Sequence, residues 1–209
     1  MQKFDSLIFD MDGTLWDAVD SYCKVWERTS EMLGADLVVT RDDLLRCMGL
    51  PIDAIYGRLV TDLNIDRAAY LDLLDRNENE MMPRLGGRLY GGVADGIRKL
   101  ARRYRLFMVS NCGADGLHNF MRFAGLSDCF TDSLAHGETG LGKRENIAII
   151  AQRNSLKAPL YVGDTQGDCD AAHAAGVKMA HVTYGFGSCR DADFSFHSFP
   201  EFTRALLDC

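Results

Sequence analysis

Basic residues are the minority in this chain: 23 Lys and Arg against 30 Asp and Glu give a formal net charge of -7. The broad positive surface that nucleic acid or an anionic membrane attracts is therefore not expected, and any bound phosphate must be held by a local cluster. Long apolar runs are missing too. The short run at the start, MQKFDSLIFD, carries Asp5 and Asp10, and no small-residue cleavage site follows it. Neither a secretory signal nor a membrane anchor is expected, which points to the cytoplasm. The 7 cysteines are odd in number and form no CxxC pair, and the 5 histidines show neither HExxH nor ligand-like clustering. Reduced thiols and no zinc site follow. Repeats and low-complexity tracts are absent. At 209 residues and 47% hydrophobic composition, the chain can bury the core of one domain carrying a smaller insertion.

Three apolar runs end in polar clusters. Phe4 to Phe9 runs into Asp10-Met11-Asp12-Gly13, Leu106 to Val109 into Ser110-Asn111-Cys112-Gly113, and Leu160 to Val162 into Gly163-Asp164-Thr165-Gln166-Gly167-Asp168. Each reads as a buried strand entering a turn, and Val177 to Val182 reads as a fourth strand behind the helix-ending Gly176. Helical patterns alternate with them over Ala94 to Arg103, Asp115 to Ala124, Glu145 to Asn154 and Asp168 to Ala175. Such alternation predicts an α/β, Rossmann-like parallel sheet with helices on both faces, whose ligands bind beyond the carboxyl ends of the strands. The tail from Phe194 to Phe202 is expected to pack a final helix on the sheet.

Residues 18–88 break this alternation, since they lack a convincing strand and are rich in helix formers. Helices are expected over Ala18 to Leu33, Arg41 to Met48 behind Thr40, Ile52 to Val60, and Arg67 to about Asn79 behind Asp66. The chain thus divides into a core of residues 1–17 plus 89–209 and an inserted α-helical cap of residues 18–88, with Asp17, Gly86-Gly87 and Gly91-Gly92 as hinge candidates.

Asp10 and Asp12 stand two apart at a strand end, so both can face one crevice while Gly13 turns the chain away. Asp164 and Asp168 bring a second acidic pair to the same sheet edge. Gathered carboxylates repel one another unless a cation neutralises them, and oxygen donors without thiolate or imidazole select magnesium. The Ser110 hydroxyl and the backbone N–H of Asn111 suit a phosphoryl oxygen, though the serine also suits a helix cap. Lys143 follows a glycine-rich approach and can supply a fixed positive charge, with its neighbour Arg144 as the rival.

Taken together, DMDGTL, the serine after a second strand, the lysine before a helix and GDTQGD resemble the four motifs of the haloacid dehalogenase superfamily in order and placement. Within it the chain is most similar to the phosphoglycolate phosphatase group with a helical first-class cap. One departure is that Lys143 is followed by Arg-Glu-Asn where many members have a proline. The resemblance implies a phosphatase of small phosphorylated metabolites. Asp10 is then the nucleophile that takes the phosphoryl group as an aspartyl phosphate, and Asp12 the general acid and base. Ser110, Asn111 and Lys143 bind the phosphoryl group, while Asp10, the Asp12 backbone carbonyl, Asp164 and Asp168 hold Mg2+, the last directly or through water.

Asp12 argues against a true dehalogenase, which lacks that aspartate. No lysine lies between Lys24 and Lys99 to form the Schiff base of the phosphonate-cleaving branch. A phosphomutase of the beta-phosphoglucomutase type, and a non-catalytic binding module on the same fold, stay open as alternatives. Leaving-group selectivity is expected from the Gly49-Leu50-Pro51 turn, with Arg46 and Arg58 either helping or lying solvated on the surface.

Overall fold

A computed structural model of the chain describes residues 3–61 and 65–208. In chain order the elements are β1 (Ser6–Phe9), β2 (Trp16–Asp17), α1 (Val19–Met32), α2 (Arg41–Leu45), α3 (Ile52–Leu59), α4 (Arg67–Leu85), β3 (Arg88–Leu89), α5 (Val93–Leu100) and β4 (Arg105–Ser110). There follow α6 (Gly116–Ala124), β5 (Asp132–Ala135), α7 (His136–Thr139), α8 (Lys143–Arg153), β6 (Pro159–Gly163), α9 (Gln166–Ala174), β7 (Lys178–Val182), β8 (Phe194–Phe196) and α10 (Phe199–Leu207).

Six strands form one parallel sheet in the order β5-β4-β1-β6-β7-β8. Its central strands are apolar on both faces because successive side chains point to opposite sides. Leu7, Phe9, Leu106, Met108, Leu160 and Val162 join the core beneath α5 and α10. Ile8, Phe107, Val109, Tyr161 and Met179 pack with α8 and α9 on the other side. The chain moves outward from β1 through β4 to β5, then returns to place β6 on the opposite flank of β1. Strand order therefore reverses around β1, where the carboxyl ends of β1, β4 and β6 open a crevice.

The expected α/β sheet with an inserted helical cap is what folds. Helices α1 to α4 lie between β2 and β3, which pair as an antiparallel ribbon with Trp16 opposite Leu89 and Asp17 opposite Arg88. The ribbon corrects the expectation of a strandless connection. It also requires a glycine at position 87, where an added Cβ would stand 2.8 Å from the Trp16 ring and 2.9 Å from the Asp17 carbonyl oxygen. Helix α4 outruns its expected end at Asn79, because Pro83 falls in the last turn and the chain leaves the helix only at Gly86, with φ 56°. Two edge strands, β5 and β8, were not expected. The tail does pack α10 on the sheet, with Phe199 and Phe202 buried against Phe9. Among the described residues no helix is long and apolar enough to cross a membrane, and the described cysteines are free thiols.

Candidate active site

All seven residues singled out at the strand ends meet at this crevice. Asp10, at the end of β1, is 3% exposed and takes its backbone hydrogen bond from the β6 side, its N–H donating to the Val162 carbonyl. Asp164, Asp168, Ser110 and Lys143 are buried alongside. Gly13 holds φ 81°, and a Cβ there would fall 2.3 Å from Asp164 Oδ2. The loop after β1 and the loop after β6 can close on each other only because that side chain is missing.

One carboxylate oxygen from each of Asp10, Asp164 and Asp168 lies within 4.8 Å of the others. Lys143 enters from the first residue of α8, two residues earlier than the helix was expected to begin, since Gly142 serves as its extended N-cap. Its Nζ donates to Asp168 Oδ1 at 2.6 Å and stands 3.0 Å from Asp10 Oδ1. Arg144, the rival, is exposed beside Glu145. The missing proline after Lys143 does not displace the lysine.

Three buried carboxylates share one ammonium, and their proton affinities separate accordingly. Burial, then the Asp168 charge working against Lys143, lifts Asp10 to about 6. Burial followed by Asp168 and Asp10 lifts Asp164 to about 8. Burial pushes Asp168 up as well, but the Lys143 ammonium and the hydroxyl and backbone N–H of Thr165 outweigh it and hold this carboxyl below its ordinary value. Both Asp168 oxygens are thereby engaged: Oδ1 by Lys143, Oδ2 by Thr165 and the Asp164 N–H. Asp10 Oδ1 is buried and lies outside hydrogen-bond geometry despite its nearness to Lys143.

Asp12 is set apart from these three. Its Oδ1 accepts from Trp16 Nε1 at 2.9 Å and its Oδ2 from the Tyr22 hydroxyl at 3.4 Å. Burial, then the charges of Asp10 and Glu78, push its carboxyl well above the ordinary range. Its side chain is thus not among the converging metal-ligand oxygens; only its backbone carbonyl was expected to serve there. Trp16, Tyr22 and Glu78 were not foreseen as site residues. Trp16 was expected to pack in the core or hinge, and it does so against Phe120 at 5.0 Å while also orienting Asp12. No spacing in the sequence marks Tyr22 or Glu78, since both lie on helices whose meeting with the sheet edge depends on the cap's placement.

The cavity above Asp10 is bounded by Ser110 and Asn111 on the sheet side and by Tyr22, Trp26, Leu50 and Glu78 on the cap side. The Gly49-Leu50-Pro51 turn does reach over the sheet edge, for Asn111 Nδ2 donates to the Gly49 carbonyl at 2.8 Å. Arg46 and Arg58 do not follow it into the cavity. Arg46 is exposed and paired with Asp43, and Arg58 donates to the Arg46 carbonyl at 3.3 Å, so both are surface residues.

A family model described as haloacid dehalogenase-like hydrolase matches residues 7–182. A phosphoglycolate phosphatase of Photobacterium profundum is 27% identical over 206 residues, covering 89% of this chain and 87% of that protein. The pyrophosphatase PpaX of Listeria monocytogenes is 25% identical over 189 residues, covering 87% and 84%. Among solved structures, a haloacid dehalogenase-like family hydrolase of Streptococcus pneumoniae superposes with a TM-score of 0.84 at 19% identity, over 98% of this chain and 99% of that one.

Proposed function

Because this chain belongs to the haloacid dehalogenase-like hydrolase family, we propose that it is a magnesium-dependent phosphatase acting on a small phosphorylated metabolite through an aspartyl phosphate on Asp10. Residues 1–17 and 89–209 form its catalytic core and residues 18–88 its cap. The observation that carries the reading is the buried Oδ1 of Asp10, which accepts no hydrogen bond, stands 3.0 Å from the Lys143 ammonium and lies two residues from Asp12 in the chain.

The donor set suits a magnesium ion. It consists of hard oxygens, three carboxylates exceed the one ammonium present, and the buried Asp10 Oδ1 accepts no hydrogen bond. Asp10, the backbone carbonyl of Asp12 and Asp164 are the residues to hold it. Asp168 sits behind them, since its charge is already taken up by Lys143, whereas Asp164 accepts only from the neutral Thr14 hydroxyl and the Phe186 and Gly187 N–H groups. When bound, such an ion neutralises the carboxylates and polarises the phosphoryl oxygens.

A carboxylate oxygen of Asp10 attacks phosphorus, and the bond from phosphorus to the leaving oxygen breaks. Asp12, held protonated by its surroundings, gives its proton to that oxygen. Trp16 and Tyr22 aim it. Asp12 then takes a proton from a water that attacks the aspartyl phosphate, which frees inorganic phosphate and restores both carboxyls. The Ser110 hydroxyl, the Asn111 N–H and Lys143 bind the phosphoryl oxygens and stabilise the added charge of the transition state.

Phosphate release from acetyl phosphate and a panel of phosphate monoesters, with magnesium and with chelator, tests this. Activity is expected only with magnesium, and Asp10→Asn is expected to lower it by at least roughly three orders of magnitude with an unchanged circular dichroism spectrum. Full turnover in chelator, or by the folded Asp10→Asn protein, rejects the reading. Interconversion of sugar phosphates with little free phosphate assigns the site to a phosphomutase instead.

A further inference from the structure

Once the phosphoryl group is assigned to the sheet edge, selectivity rests on what meets the leaving group, and there the cavity is lopsided in charge. Among its described lining residues the one cation is Lys143, whose ammonium is already committed to Asp168 and Asp10. The cap side offers apolar surface from Trp26, Met48, Leu50 and Ile55, the Tyr22 phenol, and one carboxyl, Glu78. Arg46 and Arg58, the guanidinium groups closest in sequence to the Leu50 turn, face elsewhere.

Glu78 projects from α4 to within 3.8 Å of where a side chain on Gly116 would begin. Among the described residues it has neither a hydrogen-bond nor an ion-pair partner. Burial, then the charge of Asp75, push its carboxyl up to about 7, the condition of an acid that lacks a cation. A second acceptor joins it, because Asn111 Oδ1 is buried without a partner while its amide nitrogen is spent on Gly49. Asp75 adds further negative charge at this rim, 3.3 Å from the position of a side chain on Gly113.

A leaving group bearing a carboxylate or a second phosphate would lose its water against apolar walls, find no uncommitted side-chain cation among the described lining residues, and face the Glu78 carboxyl and the acceptor oxygen of Asn111. An ammonium reverses each of these terms. It can donate to Glu78 and to Asn111 Oδ1, and the lining includes the aromatic rings of Tyr22 and Trp26, a residue type that attracts cations. We infer that the leaving group selected here is a small alcohol without negative charge that carries an ammonium, making the substrate class the phosphate monoesters of amino alcohols. This rests on the phosphatase reading above. It separates the chain from relatives named for phosphoglycolate and pyrophosphate, whose leaving groups are anionic. Hydrolysis leaves the ammonium untouched: the phosphorus–oxygen bond breaks, Asp12 supplies the proton to the alkoxy oxygen, and water supplies the oxygen of the phosphate.

The test is steady-state phosphate release, with magnesium, from aminoethyl phosphate, hydroxyethyl phosphate, phosphoglycolate and acetyl phosphate. The amine is expected to exceed its hydroxyl counterpart in kcat/KM by about tenfold, the worth of one charge-assisted hydrogen bond, and phosphoglycolate by more. Glu78→Gln is expected to bring the amine-to-hydroxyl ratio close to one, with the loss carried mainly by KM. Phosphoglycolate turned over as well as the amine, or a ratio preserved in Glu78→Gln, overturns the inference. Hydrolysis of acetyl phosphate without hydrolysis of the amine also overturns it and leaves the phosphatase reading standing. Release from none of the four removes both.

Discussion

At the scale of single residues, the cavity holds, beside Asp10, two further carboxyls that folding makes reluctant to ionise, Asp12 and Glu78, and they differ in whether anything restrains them. Asp12 is gripped by Trp16 and Tyr22, as suits the proton donor proposed above. Glu78 is gripped by nothing among the described residues, which suits a group awaiting a ligand. Burial and the Asp75 charge hold its carboxyl at about 7, above the ordinary 4.5 of a free glutamate, so the native state binds this proton more tightly than the unfolded chain. The associated stability is fully present below the lower value and is lost as pH rises through the upper one. Glu78→Gln removes the charge and with it the loss. The variant should therefore melt at a higher temperature than the parent near about pH 8 and show no such advantage near about pH 4.5. A thermal-shift series across that window checks it, and a pH-independent difference contradicts it.

At the scale of elements, Lys143 shows how a helix terminus places a charge. Gly142 lets α8 begin in extended backbone directly before the lysine, whose side chain then spans to Asp10 and Asp168. Replacing it by methionine keeps the apolar stem but leaves three buried carboxylates with no cation. Lys143→Met should lower stability by about 3 to 5 kcal/mol in chelator and by less with magnesium, as read by denaturant titration in both buffers. The same elements explain what could be read in advance. Strands β1, β4 and β6 are apolar runs that stop at polar clusters, so both the strands and the site residues at their ends were legible. Strand β5 was not, because an edge strand can carry Asp132 and Ser133, whose polarity Arg153 and Asn154 satisfy only in three dimensions. Two-residue strands such as β2 and β3 offer no period to detect. Asp12's partners were hidden for a related reason: Trp16 lies in that ribbon and Tyr22 on a helix whose orientation the ribbon sets.

At the scale of the whole molecule, the cap touches the core through the Asn111–Gly49 bond, through the packing of α4 on α6, and beside the ribbon through Arg41, which pairs with Asp17 and Asp20. Leu50, next to Gly49 in the chain, lines the cavity. Leu50→Glu should reorder a panel of phosphate monoesters by about tenfold, while acetyl phosphate, which asks little of the cap, should change by under about twofold. A uniform fall across the panel, or no change, removes the turn from substrate selection. The ribbon has one more consequence. Asp17 and Arg88 are directly opposed residues, so the sheet sees the whole excursion between them as a loop already closed. Closure entropy grows only logarithmically with length, by about 0.6 kcal/mol per doubling. Insertions, deletions and exchanges within the cap thus weigh little on the sheet's own folding, and the reading of the leaving group can diverge between lineages while the machinery that handles phosphorus stays as it is.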